Sequence, residues 1–236
     1  MRKLLVVLLF LAVVVGVLGA IADPIARNRA EDEIGRRVAA QYDLSTPPEV
    51  TFHGFSFLLQ ALTGEYKGID VDLGRWTERG VTVHDVKIEM RGVEAPLSEL
   101  AKGSAADVTA RTATASAVVP YDVIRKRAPR EVRRIAPHGD DLEVELAGSI
   151  AGFPVSGSAV LRVKPTSRGI AISPVSVGAG GGLQVPLGVL RQQLTWTVPV
   201  TELPVGSRIS EIEPTASGLR VAATAENVRL NDLRNS

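Results

Sequence analysis

The stretch PEVTFHGFSFLLQALTGEYKGIDVD, residues Pro48 to Asp72, decides the fold. Val50 and Phe52 alternate with Thr51 and His53, which predicts a short strand. Gly54 allows a sharp turn. Phe57 to Leu62 carries apolar residues at one-helical-turn spacing, and Gly64 stands where such a helix would end. From Glu65 the period returns to two, with Ile69, Val71 and Leu73 on one side and Asp70 and Asp72 on the other. A short apolar helix is thus expected between two strands. Aromatic residues are only 4% of the chain, yet Phe52, Phe55 and Phe57 are three of its five Phe. Such a concentration suits a dense core. It equally suits the lining of an apolar cavity, because an acyl chain and a core side chain present the same CH₂ surface, at roughly 0.8 kcal/mol per buried group.

Toward the N-terminus, Arg2 and Lys3 precede an uncharged apolar run of 19 residues, Leu4 to Ala22. Its length is nearer to a membrane anchor than to the core of a signal peptide, although Ala20-Ile21-Ala22 is an acceptable cleavage sequence. Either use puts the rest of the chain outside the cytoplasm, in the cell envelope or periplasm, with residues 4–22 as a possible tie to the inner membrane. Residues 1–22 are therefore set apart from the fold. Asp23-Pro24 predicts a helix start, Asp as the cap and Pro at the first helical position. Ile25, Ala26, Ala30, Ile34, Val38 and Tyr42 then run down one helical face, before Pro47-Pro48.

Downstream, Thr82 to Met90 predicts a strand whose phase slips at His84-Asp85, the mark of a bulge. Leu97 to Ala101 is expected as a helical turn and Ala105 to Val119 as a long strand of small residues. Tyr121 to Ala136 is read as a helix interrupted near Pro129. Leu142, Val144 and Leu146 alternate with Glu143 and Glu145 as a half-buried strand. Val155 to Val163 and Ile170 to Val177 continue as strands, and Gly178 to Gly182 as a loop. Pro186 to Leu194 is expected as a second apolar helix, with Leu187, Leu190 and Leu194 on one face. Ile209 to Ile212 and Leu219 to Leu230 form a hairpin turning at Ser217-Gly218, and residues 231–236 a polar tail. Without a compositional break, residues 23–230 are taken as a single domain. Many twisted strands with a few amphipathic helices make an α+β fold, helices covering one face of an antiparallel sheet. A lipocalin-like barrel is the alternative.

The chemistry available is sparse. There is no Cys, which excludes disulfides, thiolate metal ligation, a thiol nucleophile and a lipid-modified cysteine. His53, His84 and His138 lack partners at ligand spacing, so no metal or other cofactor is expected. Gly54-Phe55-Ser56-Phe57 fails as a nucleophile elbow at its last position, and Gly178 to Gly182 lacks the third Gly of a dinucleotide fingerprint. Asp70-Val71-Asp72 resembles a metal-binding pair of some sugar transferases, but it also fits the solvated face of an alternating strand. The expectation is a protein that is not an enzyme. Setting aside Arg2 and Lys3 leaves 25 basic residues against 26 acidic ones, no footprint for nucleic acid. Arg125, Lys126, Arg127, Arg130, Arg133 and Arg134 nonetheless fall within ten residues, opposed only by Glu131. Such a cluster can hold phosphate or meet an anionic membrane surface, or be an ordinary solvated helix face.

Three sets of positions carry a resemblance. The first is Gly54-Phe55-x-Phe57-Leu58-x-Gln60-x-Leu62-x-Gly64-x-Tyr66. The second is Gly92-Val93-x-x-Pro96-Leu97-x-x-Leu100-x-x-Gly103. The third is Leu194-x-x-x-Val198-Pro199-Val200-x-x-Leu203-Pro204-x-Gly206, with Gly218-Leu219-x-Val221 and Val228-x-Leu230. Together they resemble the actinobacterial cell-envelope phospholipid-binding family typified by lipomannan elongation factor A. Ser56 departs from that pattern, standing where Pro is expected between the two aromatics.

The resemblance implies a highly curved sheet rolled around a helix, similar to the tubular lipid-binding folds. It also implies non-enzymatic binding or transfer of an anionic phospholipid such as phosphatidylinositol, in support of lipomannan maturation. On that reading Phe55, Phe57, Leu58, Leu62 and Tyr66, with Leu187, Leu190 and Leu194, contact lipid. Helical spacing puts Phe57 and Leu62 near one face, strand alternation puts Phe52 in the core, and on the lipid-binding reading the basic cluster meets the headgroup or membrane surface. The expected partners are anionic phospholipid and the membrane. The competing expectation is a membrane-anchored adaptor that recruits envelope enzymes.

Overall fold

The computed structural model describes residues 2–78, 80–96, 108–150, 153–166, 169–177, 187–199 and 206–233; the side chains of residues 2–20, 78, 153, 177, 187, 190, 199, 232 and 233 are outside the description. The expected turn at Leu97 to Ala101, the Gly178 to Gly182 loop and the first residues of the strand expected from Ala105 lie outside the described residues. So do the side chains of Leu187 and Leu190 and most of those in the apolar run. Among the described residues no helix is long and apolar enough to cross a membrane.

The helices are α1 (Arg2–Gln41), α2 (Phe57–Thr63), α3 (Tyr121–Arg125), α4 (Leu187–Gln193) and α5 (Leu230–Leu233). The strands are β1 (Glu49–His53), β2 (Glu65–Glu78), β3 (Val81–Glu94), β4 (Thr109–Val119), β5 (Val132–His138) and β6 (Asp141–Ile150), then β7 (Phe153–Thr166), β8 (Gly169–Val177), β9 (Trp196–Pro199), β10 (Arg208–Pro214) and β11 (Leu219–Arg229). They form a six-stranded sheet in the order β1-β2-β3-β4-β11-β10 and a five-stranded sheet running β5 to β9 in sequence order. The architecture is α+β. Both sheets are open, so the described residues form no closed barrel of the lipocalin kind. A physical reason is visible at β1. Its outer edge is covered by a helix: Phe52 N–H donates to the Glu31 carboxylate of α1 at 2.8 Å. Gly35 lets α1 come closer still, since a Cβ there would stand 2.6 Å from the Pro48 carbonyl oxygen. A covered edge needs no further strand.

Two compact units share the chain. The first comprises Met1–Asp72, Glu89–Ala113 and Asn227–Asn235; the second comprises Leu73–Ile88, Thr114–Glu226 and Ser236. The first unit's core is Val50, Phe52, Phe57, Ala61, Tyr66, Ile69, Val93, Ala95, Val108 and Ala110, with Ala26, Ala30 and Ile34 of α1 packed against it. Within it β1 and β2 pair antiparallel, Phe52 opposite Ile69. The second unit is built on the antiparallel β5–β9 sheet. Leu142, Val144, Leu161 and Ile172 are wholly buried there, and Ile209, Ile212 and Val221 of the β10–β11 hairpin pack on the same core. The Tyr121 hydroxyl donates to the Thr215 carbonyl at 2.8 Å and ties α3 to that hairpin.

Four expectations are corrected. The helix expected to start at Asp23 is the second half of one continuous helix, with Pro24 inside it. Its packed face is Ala26, Ala30 and Ile34, whereas Ile25 and Tyr42 are exposed. The helix expected across Tyr121 to Ala136 stops at Arg125, and Val132–His138 is a strand. Ile124, Ala128, Val132 and Ile135 fall at helical spacing by coincidence. Pro129 bars the helix from continuing, and pairing with β6 recruits Val132 to His138, with a register shift between Val132 and Arg134. Trp196–Pro199 adds an edge strand beside β8 that the sequence reading omitted. The hairpin strand ends one residue early: Leu230, expected as its last residue, opens a short helix, packs on the first unit's core, and its N–H donates to the Val108 carbonyl at 3.0 Å. The phase slip in β3 has a concrete form, since Asp85 takes a φ of 50° in mid-strand.

Candidate lipid-binding site

A seven-residue helix is too short to persist alone in water, so α2 depends on how its ends are held. Ser56 precedes it at φ 51°, and its hydroxyl accepts from Leu59 N–H at 3.2 Å. The remaining first-turn donors go to Asp23 of α1. Its carboxylate accepts from Phe57 N–H at 3.0 Å, from Leu58 N–H at 2.8 Å and from the Ser56 hydroxyl at 2.9 Å. The exposed donors of the helix start are thereby satisfied, with a negative charge at the positive end of the helix. Burial works against ionisation of Asp23, but these three hydrogen bonds and the Arg27 charge outweigh it and hold its carboxyl below the ordinary value. Ser56 stands where Pro was expected; Pro, fixed near φ −65°, could not take this backbone conformation and would offer no hydroxyl. At the other end Gly64 is left-handed at φ 76°, and its N–H donates to Gln60 O at 2.8 Å.

The two faces of α2 differ sharply. Phe57 is 5% exposed and meets Phe52 edge-on, ring centres 5.0 Å apart, with Tyr66 5.3 Å from Phe52. Tyr66 is 2% exposed, and burial raises the pKa of its hydroxyl. Opposite, Leu62 is 84%, Leu59 58% and Leu58 41% exposed, and Phe55, two residues before the helix, is 89% exposed. Phe57 and Leu62 therefore do not share a face. Five residues at 3.6 per turn leave them well over a quarter-turn apart. Of the side chains expected to contact lipid, Phe55, Leu58 and Leu62 face outward. Phe57 and Tyr66 are in the first unit's core, and Leu194, fully buried, is in the second unit's.

Arg125, Lys126, Arg127, Arg130, Arg133 and Arg134 are all exposed. The first belongs to α3, the last two to β5, and the rest to the turn between. Among the described residues Arg134 alone of the six has an ion-pair partner, Glu145 at 3.5 Å. Asp70, on the alternating strand β2, is engaged by neighbouring side chains. It bonds His53 at 2.7 Å and is bridged by Arg91. Burial opposes its ionisation, yet those hydrogen bonds and charges keep its carboxyl below the ordinary range.

The motif positions of the first unit converge on this helix. The Gly64 carbonyl that closes α2 accepts from Ala95 N–H at 2.8 Å. Gly92 and Val93, just before it, bring β3 to that point with Val93 and Ala95 both 1% exposed. Val228 and Leu230 add to the same unit. The profile of the LmeA-like phospholipid-binding family matches residues 21–224. The chain belongs to that family. Neither a curated protein nor a solved structure matches it. The family match starts less than one turn before Asp23, so the LmeA-like region includes the residue that caps α2.

Sequence reading missed the second role of Asp23 and the outward apolar set Ile21, Ile25 and Leu59. The capping signal was present in Asp23-Pro24, but attached to the wrong helix. Leu59 was legible only as one more apolar residue of α2.

Proposed function

We propose that this protein binds phospholipid without chemical turnover in the cell envelope, prefers anionic lipids such as phosphatidylinositol, and supports the maturation of mannose-bearing lipoglycans. The observation that carries this reading is the family match across residues 21–224. Residues 4–22 serve as an export signal or inner-membrane anchor, leaving the rest of the chain outside the cytoplasm. Three strands of 14 residues, β2, β3 and β7, suit a sheet long enough to wrap a lipid in the tubular manner. Outward-facing Phe55, Leu58 and Leu62 are available to acyl chains. The exposed cluster from Arg125 to Arg134 supplies guanidinium groups that pair with phosphate bidentately.

Native mass spectrometry of the full chain, released from mild detergent after incubation with mixed phospholipids, tests the reading. A bound phospholipid, with phosphatidylinositol retained over phosphatidylcholine, is expected. A chain that carries no phospholipid under these conditions defeats the proposal and leaves the adaptor role.

A further inference from the structure

Eight large apolar side chains are exposed among the described residues, and six of them are Ile21, Ile25, Phe55, Leu58, Leu59 and Leu62. Exposure is therefore gathered at two stretches rather than scattered, and soluble surfaces seldom gather it so. The two stretches are tied together. Asp23 holds the first turn of α2 through Ser56, Phe57 and Leu58, which sets α2 at the same level along α1 as Ile21 and Ile25, although those two side chains leave α1 on the side opposite Asp23.

We propose that the outer face of α2, together with Ile21 and Ile25, docks on the phospholipid bilayer and inserts its side chains into the interface. This deepens the lipid-binding reading and rests on it, naming the surface from which lipid is reached. Continuity favours a bilayer as the occupant. Helix α1 runs unbroken from Arg2 to Gln41, and residues 4–22 carry no charge. Ile21 and Ile25 thus prolong an apolar sequence along the same helix. The first charge after Lys3 is Asp23, whose carboxylate is consumed by the start of α2 and by Arg27, 3.6 Å away. It presents no unsatisfied anion to an anionic surface. The next charges are cationic: Arg27 and Arg29 lie about 6–9 Å further along the axis at 1.5 Å per residue, the depth of a headgroup layer. Leu58, Leu59 and Leu62 on one side of a short helix, Phe55 two residues before it, and Arg27 of α1 bonded to the Gly54 carbonyl at 3.0 Å make a composition that enters a membrane interface.

The chain has no Cys, so a single cysteine reports one position. The full-length Leu62→Cys variant, labelled with an environment-sensitive fluorophore, is reconstituted in phosphatidylcholine–phosphatidylglycerol vesicles; His138→Cys, exposed at the end of β5, is the control. The expected result is blue-shifted emission at position 62, quenching by acyl-chain-brominated lipid, and several-fold weaker quenching by aqueous iodide than at position 138. Equal iodide quenching at the two positions overturns the proposal. So does shielding at position 62 that brominated lipid leaves unquenched and that fades as protein is diluted in lipid, because a second copy then covers the face. Leu62→Glu/Leu58→Glu should weaken lipid quenching of the same fluorophore at Leu59→Cys, and unchanged quenching counts against docking. Phospholipid counted on the same protein by native mass spectrometry separates the two readings. Lipid carried with position 62 still aqueous removes the docking face alone; lipid quenching without carried lipid removes carriage alone.

Discussion

The two compact units dispose of their apolar side chains differently. The second unit closes an aliphatic core around Leu142, Val144, Leu161, Ile172 and Leu194, none of them measurably exposed. Among its described residues only Val81 is a large apolar side chain left in water, at 37%. The first unit builds an aromatic core from Phe52, Phe57 and Tyr66, yet leaves Leu58, Leu59 and Leu62 of α2, and Phe55 just before it, exposed. Displayed surface forgoes about 25 cal/mol per Å². A chain that buries so completely in one unit is not short of means to bury. The difference therefore points to use of the α2 surface. The cationic groups make the reverse division: the dense run from Arg125 to Arg134 belongs to the second unit.

The strongest way to break the comparison is to cut into the aromatic core. Phe57→Ala should destabilise the protein by about 3–5 kcal/mol, as truncation of a buried Phe does elsewhere, measured by urea unfolding. A cost under about 1 kcal/mol, well short of that cavity range, would mean that Phe57 faces replaceable space and that the near side of α2 is not core. Next in size is the cationic surface of the second unit. Replacing Arg125, Lys126, Arg130 and Arg134 with Gln should weaken sedimentation with anionic vesicles, by up to about 1 kcal/mol per charge at low salt. The difference from wild type should shrink as salt screens it. Unchanged sedimentation at low and moderate salt would return the cluster to ordinary solvated surface.

The smallest expected effect sharpens the account of α2 itself. Asp23→Ala removes a carboxylate that satisfies two backbone donors of another helix and should cost about 1 kcal/mol. Its pH dependence has a definite sign. The folded carboxyl titrates below its ordinary 3.8, so its contribution is fully present above that value and is lost as pH falls through the lower folded one. Wild type and variant should therefore converge in acid. A stability gap that does not narrow as pH falls below 3.8 would assign the effect to packing rather than to the charge.

Much of the first unit was legible because its signals are local. Alternation in Val50 to His53, one-turn spacing after Ser56 and a left-handed Gly64 lie within a few residues of the structure they specify, namely β1, α2 and β2. The basic run was legible as charge but not as shape. Helical spacing of Ile124, Ala128, Val132 and Ile135 resembled a helix until Pro129 and pairing with β6 divided it. The candidate site was half legible: the concentration of Phe and Leu was plain, but spacing put Phe57 on the face of Leu62 when it lies in the core.

What the sequence by itself determined is therefore the inventory and the local grammar: which residues alternate, which can cap, where glycine is needed, and that no cysteine is available. Tertiary structure decided the assignments that depend on distant partners. Asp23 reads as the cap of its own helix, yet 33 residues on, the Ser56 hydroxyl and the bare N–H groups of α2 receive it instead. Phe55 and Phe57 are the same residue two positions apart, but one is solvent-facing and the other meets Phe52 and Tyr66. Composition and spacing cannot distinguish them, because burial is a property of what packs against a side chain.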